Sequence, residues 1–518
     1  MKFIRTFLGT LSSAVSRGTP QRKAGFYQHM NIFRSLLTHA GVSSREASSS
    51  TNKARIKNSL LFSRIIPAAG LGLLLAAPVS VTAQTNLTVR KLFQAPEGIV
   101  PTGAPADGKD GALYGVTAGG GSSNMGTVFM LRCDGSCYAT LGSFVGTNGT
   151  TPYTALAVTT NGTLFGTTHS GGQYGFGTVF KINKNGSGLQ GLHDFAGGTD
   201  SKTPSGALIE GSDGALYGMT SFGDSATRGT IFKIGPGGSG YAVIHTFTGN
   251  PDGQQPQGRL LQASDGMIYG TAYYGGSASV PGVVFRLDTN GNNYEVVHIF
   301  GGSGDGRNPG AGVTEGSDGM LYGTTTHGGT AAVGVVFQMS KDGIVYNVLR
   351  SFLSTGNDGQ APNSELAEGP DGVLYGTTAQ GGANGAGTAF KIAKDGGGYA
   401  ILHQFGSPGL DPSSPTGLSW GSDGVLYGSA QYGGSAAGCV FALTVTPLPP
   451  RVVSLSVGSS SNVIVCATTS AVQYEVQRST NLSSWSVLTT LTSLLNGQLT
   501  NIDLSPPTAP AYYRLHQH

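Results

Sequence analysis

Side chains that could do chemistry recur along this 518-residue chain at a near-constant interval. Asp200, Asp252, Asp305, Asp358 and Asp411 each precede a proline by four residues. Loops of this kind could hold calcium, but the ion takes about six to eight oxygens and each loop offers one carboxylate. Calcium is therefore a secondary possibility beside no cofactor, and no residue is assigned to a metal. His193, His245, His298 and His403 recur shortly before these acids, with Arg350 and Gly142 in matching places. That suits a half-exposed packing position, since an active site rarely needs several copies. Glu210, Glu315 and Glu368 end one short segment in three copies, and no isolated carboxylate pair emerges as the acid and base of a glycosidase. No catalytic residue is assigned.

Residues that differ between copies are better candidates. Where most copies carry a double glycine, the two preceding positions read Ala118-Gly119, His169-Ser170, Ser221-Phe222, Tyr273-Tyr274, Thr326-His327, Ala379-Gln380 and Gln431-Tyr432. Aromatic faces there could meet the C–H patches of a sugar, and imidazole or amide groups could bond its hydroxyls. His169, Phe222, Tyr273, Tyr274, His327, Gln380, Gln431 and Tyr432 are thus ligand-binding candidates for a neutral polyhydroxylated molecule, with packing between units as the plain alternative. An enzyme would need symmetry-breaking residues on the same face, for which His169, Tyr273, Tyr274 and His327 are the candidates. The glycine pairs lead into further strands rather than helices, so they make no phosphate cradle.

The elements that position these residues follow from a phrase returning seven times, most fully as Ser212-Asp213-Gly214-Ala215-Leu216-Tyr217-Gly218. Its aromatic falls at Tyr114, Phe165, Tyr217, Tyr269, Tyr322, Tyr375 and Tyr427, in steps of 51 to 53 residues. One supersecondary unit copied seven times is the reading. Within a copy, 204–210, 215–220, 230–234 and 241–247 read as four short strands, the first two joined by an Asp-Gly turn. Four antiparallel strands per unit and seven units predict a seven-bladed β-propeller. A β-solenoid is the main competitor, but its coils usually take roughly 20–30 residues.

The ends favour the ring. Leu87-Thr88-Val89-Arg90-Lys91-Leu92-Phe93 matches the fourth-strand pattern Tyr241 to Phe247 yet precedes the first full copy. The seventh copy stops after Cys439 to Leu443 without a fourth strand. The N-terminal segment is expected to complete the last blade, leaving no exposed edge. In such a ring the variable pairs surround the mouth of the central channel, on the face with the longer loops, where binding usually sits.

The ordered set of Asp-Gly, Leu-Tyr-Gly-Thr-Thr, Gly-Gly and Phe-Lys-Ile elements in Asp371 to Ile392 resembles the choice-of-anchor tandem repeat family called GloVer, found in secreted bacterial proteins. The resemblance covers roughly 86–443 and implies no established activity or catalytic residues. It implies varied C-terminal sorting signals; Arg514 to His518 offers neither a hydrophobic helix nor a basic tail. Val472 to Leu482, Trp485 and Tyr512 to Leu515 resemble fibronectin-III-like endings, with Tyr474 and Trp485 as core. The expected fold is all-β, a seven-bladed propeller closed by an N-terminal strand plus a small C-terminal β-sandwich-like module. The expected segments are 1–83 as leader, 84–445 as propeller, 446–450 as Pro-rich linker and 451–518 as fibronectin-III-like module.

Composition bears on compartment and partners. Glycine numbers 85 and charged residues are 11%, a turn-rich chain rather than a disordered, highly charged one. Residues 1–84 hold 11 of the 30 Lys and Arg and one acid, Glu46; the remainder carries 19 bases against 26 acids, a balance of −7. An acidic remainder argues against nucleic acid as partner. Lys53, Arg55, Lys57 and Arg64 precede an apolar run over 65–79, and Val81-Thr82-Ala83 fits a cleavage site. This predicts a signal peptide and an extracellular or outer-surface location, with no transmembrane segment after cleavage. About 50 residues precede the signal, so an overextended start is expected, Met30 being one alternative. Cys133 and Cys137 bracket Asp134-Gly135-Ser136 as a disulfide candidate. Cys439 takes a slot held elsewhere by threonine and reads as a buried thiol; its pairing with Cys466 stays open. The expected function is a monomeric, non-enzymatic binding scaffold for a polysaccharide or envelope protein. The alternative is an extracellular propeller lyase or hydrolase.

Overall fold

The computed structural model describes residues 86–445, apart from 224–227, 277–280, 410 and 434–436, and six strands within 451–517. The leader, the linker, Met30 and Trp485 lie outside the described residues, as does the side chain of Tyr474.

The protein is all-β, and its propeller has seven blades. Blade 3 comprises Lys202–Glu210, Leu216–Phe222, Thr230–Ile234 and Ala242–Thr246, paired antiparallel in chain order. The second strand runs two residues beyond its expected end and so carries the variable pair. Among the described residues the regular helical structure is one 3₁₀ turn, Gly198–Asp200.

The repeated phrase is packing chemistry. Leu216 and Tyr217 are fully buried, and the Tyr217 hydroxyl donates to Asp213 Oδ2 at 2.8 Å. The turn aspartate thereby satisfies a polar atom that the core would otherwise strand. Tyr114, Tyr269, Tyr322, Tyr375 and Tyr427 make the same bond at 2.7–2.9 Å. Blade 2, which has Phe165 and no hydroxyl to satisfy, has Asn161 in place of the aspartate. The glycine of the phrase serves space: a Cβ on Gly218 would stand 2.5 Å from the Phe232 ring. Apolar residues of adjacent blades then interdigitate, as Tyr217 and Met219 do with Phe247, Leu260 and Phe285.

Ring closure follows the pattern of the chain ends. Asn86–Leu92 pairs antiparallel with Cys439–Thr444, from Asn86 opposite Thr444 to Leu92 opposite Cys439. Blade 7 is therefore Pro412–Trp420, Leu426–Gly433, Cys439–Thr444 and the N-terminal strand.

Beyond the propeller, Arg451–Val457, Asn462–Ala467 and Gln498–Asp503 form one antiparallel sheet of three strands. Ser486–Thr492, Gln473–Ser479 and Tyr512–Gln517 form another.

Candidate functional site

Each first strand breaks its ladder where it reaches the channel. In blade 3 the register shifts between Ser205 and Ile209, in blade 4 between Gln257 and Leu261, and in blade 1 between Thr102 and Ala106. In blades 2, 5 and 6 the strand divides outright. The break follows a proline, which has no N–H to give to a ladder. The preceding residues, Val100, Thr151, Thr203, Gln255, Asn308, Ala361 and Ser414, have φ of 51–61°, a left-handed conformation unfavourable outside glycine. Tertiary hydrogen bonds hold it: Thr203 N donates to Phe176 O at 3.0 Å and Gln255 N to Arg228 O at 2.8 Å, each onto the preceding blade.

The displaced residues wall a cavity of about 1050 Å³ to which all seven blades contribute. Inner strands approach backbone to backbone: a Cβ on Gly206 would fall on the Gly258 carbonyl, and one on Gly258 on the Gly312 amide. Glycine is required there for space.

Of the candidates taken from the sequence, His169, Phe222, Tyr273, Gln380 and Gln431 line this cavity, whereas Tyr274, His327 and Tyr432 are not among its wall residues. Strand alternation separates the pairs of blades 2, 4, 5 and 7, where His169, Tyr273, Thr326 and Gln431 line the cavity and the residue after each does not, whereas in blades 3 and 6 both members, Ser221 with Phe222 and Ala379 with Gln380, line it. Tyr274 meets Tyr273 edge-on with centroids 4.7 Å apart. His327 Nδ1 stands 2.9 Å from Thr326 Oγ1, which donates to Asn308 O at 2.8 Å. Tyr432 is 55% exposed. Solvent reaches the His169 ring, yet partial burial holds its imidazole below the usual range. The Tyr153 ring lies 6.1 Å from it, centroid to centroid.

The sequence reading missed one pair in this wall. Arg259 Nε stands 3.2 Å from Glu365 Oε2, and Arg259 N donates to Glu365 Oε1 at 3.0 Å. These residues come from blades 4 and 6 and reach across blade 5. The signal was available: third after the first-strand proline, the seven copies read Ala104, Ala155, Ala207, Arg259, Gly312, Glu365 and Leu418. Two charges among uncharged, mostly small residues mark departures from the repeat.

The recurrent acids and histidines form one device outside the channel. His245 Nε2 stands 3.0 Å from Asp252 Oδ1 and stacks on Tyr294 of the next blade, whose hydroxyl donates to the Asp252 carbonyl at 2.5 Å. His193–Asp200–Tyr241 repeats it; His298–Asp305–Tyr346 does so with the tyrosine donating to Asp305 Oδ1 instead of the carbonyl, and Arg350–Asp358–Tyr399, likewise bonded through Asp358 Oδ1, substitutes a guanidinium. At the ring closure, Lys91 pairs with Glu97 at 2.5 Å and lies 4.2 Å from the Tyr138 ring centroid. His403 bonds Asp411 at 2.8 Å, with Leu87 where other blades place tyrosine. The blade 1 to blade 2 junction has Gly142 and Leu189 instead. Burial raises the carboxyl pKa values of Asp200, Asp252 and Asp305, but hydrogen bonds from histidine, tyrosine and backbone outweigh it and hold them below the ordinary value. Among the described residues no three His, Cys, Asp or Glu side chains gather as a metal site would need.

The cysteine expectation needs correction. Cys133 and Cys137 are free thiols here. Arg132 N donates to Cys137 O at 2.9 Å, so Cys137 lies across from Arg132, while Cys133 N turns to Gly111 O at 3.1 Å. The hairpin thus sets the cysteines out of register. Cys439 is fully buried and its thiol is pushed up to about 12 by burial.

A closed ring of seven four-stranded blades around a lined channel defines a β-propeller. The chain belongs to the Gloeobacter/Verrucomicrobia repeat family, whose pattern matches 77–280 and 255–453. Solved structures of similar shape include an oligogalacturonate lyase in complex with manganese, at 11% identity and TM-score 0.47, covering 70% of this chain and 98% of that one. A fungal alcohol oxidase of the AA5 family in complex with copper matches at 10% identity and TM-score 0.46, over 84% and 93%. A putative 6-phosphogluconolactonase from Bacteroides uniformis matches at 15% and 0.43, over 75% and 98%. No match was found among curated proteins. Among the described residues no helix is long and apolar enough to cross a membrane.

Proposed function

We propose that this chain is a secreted or cell-surface propeller that binds a neutral polysaccharide, or its oligosaccharide fragments, in the channel cavity without turning it over. The observation that carries this reading is the composition of the cavity wall. His169, Phe222, Tyr273, Gln380 and Gln431, which break the repeat, stand in one space of about 1050 Å³. That volume is large for a drug-sized ligand and suits several sugar rings. Aromatic rings and amides are the groups that sugar C–H faces and hydroxyls require. Its acid content supports binding over hydrolysis: among the described residues Glu365 is the wall's one carboxylate and is engaged by Arg259, whereas glycosidases ordinarily use two. The basic-then-apolar leader supports export, and the C-terminal strands are proposed as a fibronectin-III-like accessory. An envelope protein remains the other partner class.

A lyase is the second reading, favoured by His169, whose lowered pKa leaves a neutral imidazole able to take a proton. A glycan-array and product screen on the full chain tests both. Binding without product supports the first reading, product formation replaces it with the second, and silence on both points to a protein partner.

A further inference from the structure

We infer that Arg259 and Glu365 are the charge-selective element of the channel site, holding hydroxyls of a neutral sugar while Glu365 keeps Arg259 from accepting the carboxylate of an acidic one. This inference rests on the channel being a carbohydrate site.

Among the described residues Arg259 is the one Lys or Arg in the cavity wall, and Glu365 the one Asp or Glu. They stand 106 positions apart in the chain. Arg259 lies in the unpaired segment of the blade 4 inner strand, between Gln257 and Leu261, so its side chain is not committed to a sheet face. Gly312 occupies the same place on the intervening blade. A Cβ there would fall on the Arg259 carbonyl; its absence lets the blade 5 strand lie low enough for the pair to meet over it.

The contact uses only part of each group. Glu365 takes the Arg259 Nε and the Arg259 backbone N–H, one on each carboxylate oxygen. Neither terminal nitrogen of the guanidinium makes a hydrogen bond to protein among the described residues, and the Arg259 side chain remains 49% exposed. The Nη edge is the one that accepts carboxylates in bidentate fashion. Each Glu365 oxygen also keeps a second lone pair. Unused donors and unused acceptors therefore stand side by side on a neutral pair. A sugar hydroxyl, which donates and accepts, satisfies both. A uronate carboxylate could use the Nη edge but would meet the Glu365 charge beside it, so rejection is built in as repulsion.

The test is calorimetry on the full chain with hexasaccharides of neutral β-glucan, mannan, xylan and galactan, and with an oligogalacturonate of equal length. The wild-type chain should bind at least one neutral hexamer, and the uronate at least about tenfold more weakly. Arg259→Gln should weaken the neutral hexamer about tenfold. Glu365→Gln should gain about tenfold for the uronate, and that gain should shrink as salt rises. A gain of binding cannot come from misfolding, so Glu365→Gln decides the matter even where Arg259→Gln unfolds. A wild-type preference for the uronate, or a Glu365→Gln chain with no gain, overturns the role of the pair while leaving the channel as a carbohydrate site. Binding of none of the hexamers overturns the carbohydrate reading and this inference with it.

Discussion

His245 and Tyr294 stack with ring centroids 3.8 Å apart and planes 5° from parallel, although they belong to different blades. Asp252 joins them through its carboxylate to one and its carbonyl to the other. The outer edge of the propeller is thus stitched by a repeated histidine or arginine, acid and aromatic, in addition to the apolar contacts between sheets.

Removing one stitch should have a measurable cost. His245→Ala leaves the half-buried Asp252 without its main partner, and a stranded polar group of this kind costs about 1–3 kcal/mol. Urea denaturation should give a loss of that size, read as the drop in midpoint multiplied by an unchanged m-value.

The junction between blades 1 and 2, where Gly142 and Leu189 replace the stitch, should be the ring's weakest seam. Hydrogen exchange should be fastest in Tyr138–Ser143 among the fourth strands that pair within their own blade. Uniform protection across them would overturn the assignment of strength to the stitches.

Acid should weaken the fold through the same groups. The carboxyls of Asp200, Asp252 and Asp305 are held below the ordinary carboxylate value by hydrogen bonds that outweigh their burial. A depressed folded pKa gives stability that is complete above the unfolded value and lost as pH falls through the folded one. Stability measured by denaturant should hold from pH 7 to about 5 and fall below pH 4. Asp252→Asn should start lower and show a smaller loss across that drop.

Gly218→Ala tests the claim that the repeated glycine serves space. The new methyl would press on Phe232, and overpacking of this kind costs about 1–3 kcal/mol. Phe232→Leu in the same chain should recover part of that loss, a coupling read from a double-mutant cycle.

Two tyrosines separate cavity from rim. Tyr273→Ala should lower affinity for whichever glycan binds by about tenfold, while Tyr432→Ala should leave it unchanged. Equal effects would place the ligand outside the channel.

Much of this architecture was legible because repetition amplifies a weak signal. One Asp-Gly turn before alternating residues is a local hint, whereas seven copies at 51 to 53 residues fix blade number. The half-unit offset at the two ends fixed closure, since an unpaired fourth strand and a missing one have a single economical solution. Local chemistry also set each strand, because Leu216, Tyr217 and Gly218 need burial, a hydroxyl acceptor and room for a ring whatever lies further away.

What only the tertiary structure decided concerns residues that meet across blades. The recurrence of Asp252 and of His245 was visible, but their union with Tyr294 was not, because strand patterning carries no information about which blade a side chain touches. Which member of each variable pair faces the cavity was not legible either: Tyr273 lines it while Tyr274, His327 and Tyr432 do not, yet Phe222 and Gln380, at the same position as those three, do. Arg259 and Glu365 lie in different copies of the repeat, far apart along the chain. Ring closure brought them together, and the missing side chain of Gly312 let them touch. The sequence thus determined the ring from local, repeated interactions, while the content of its channel depended on contacts between residues 106 positions apart, which only the closed ring creates.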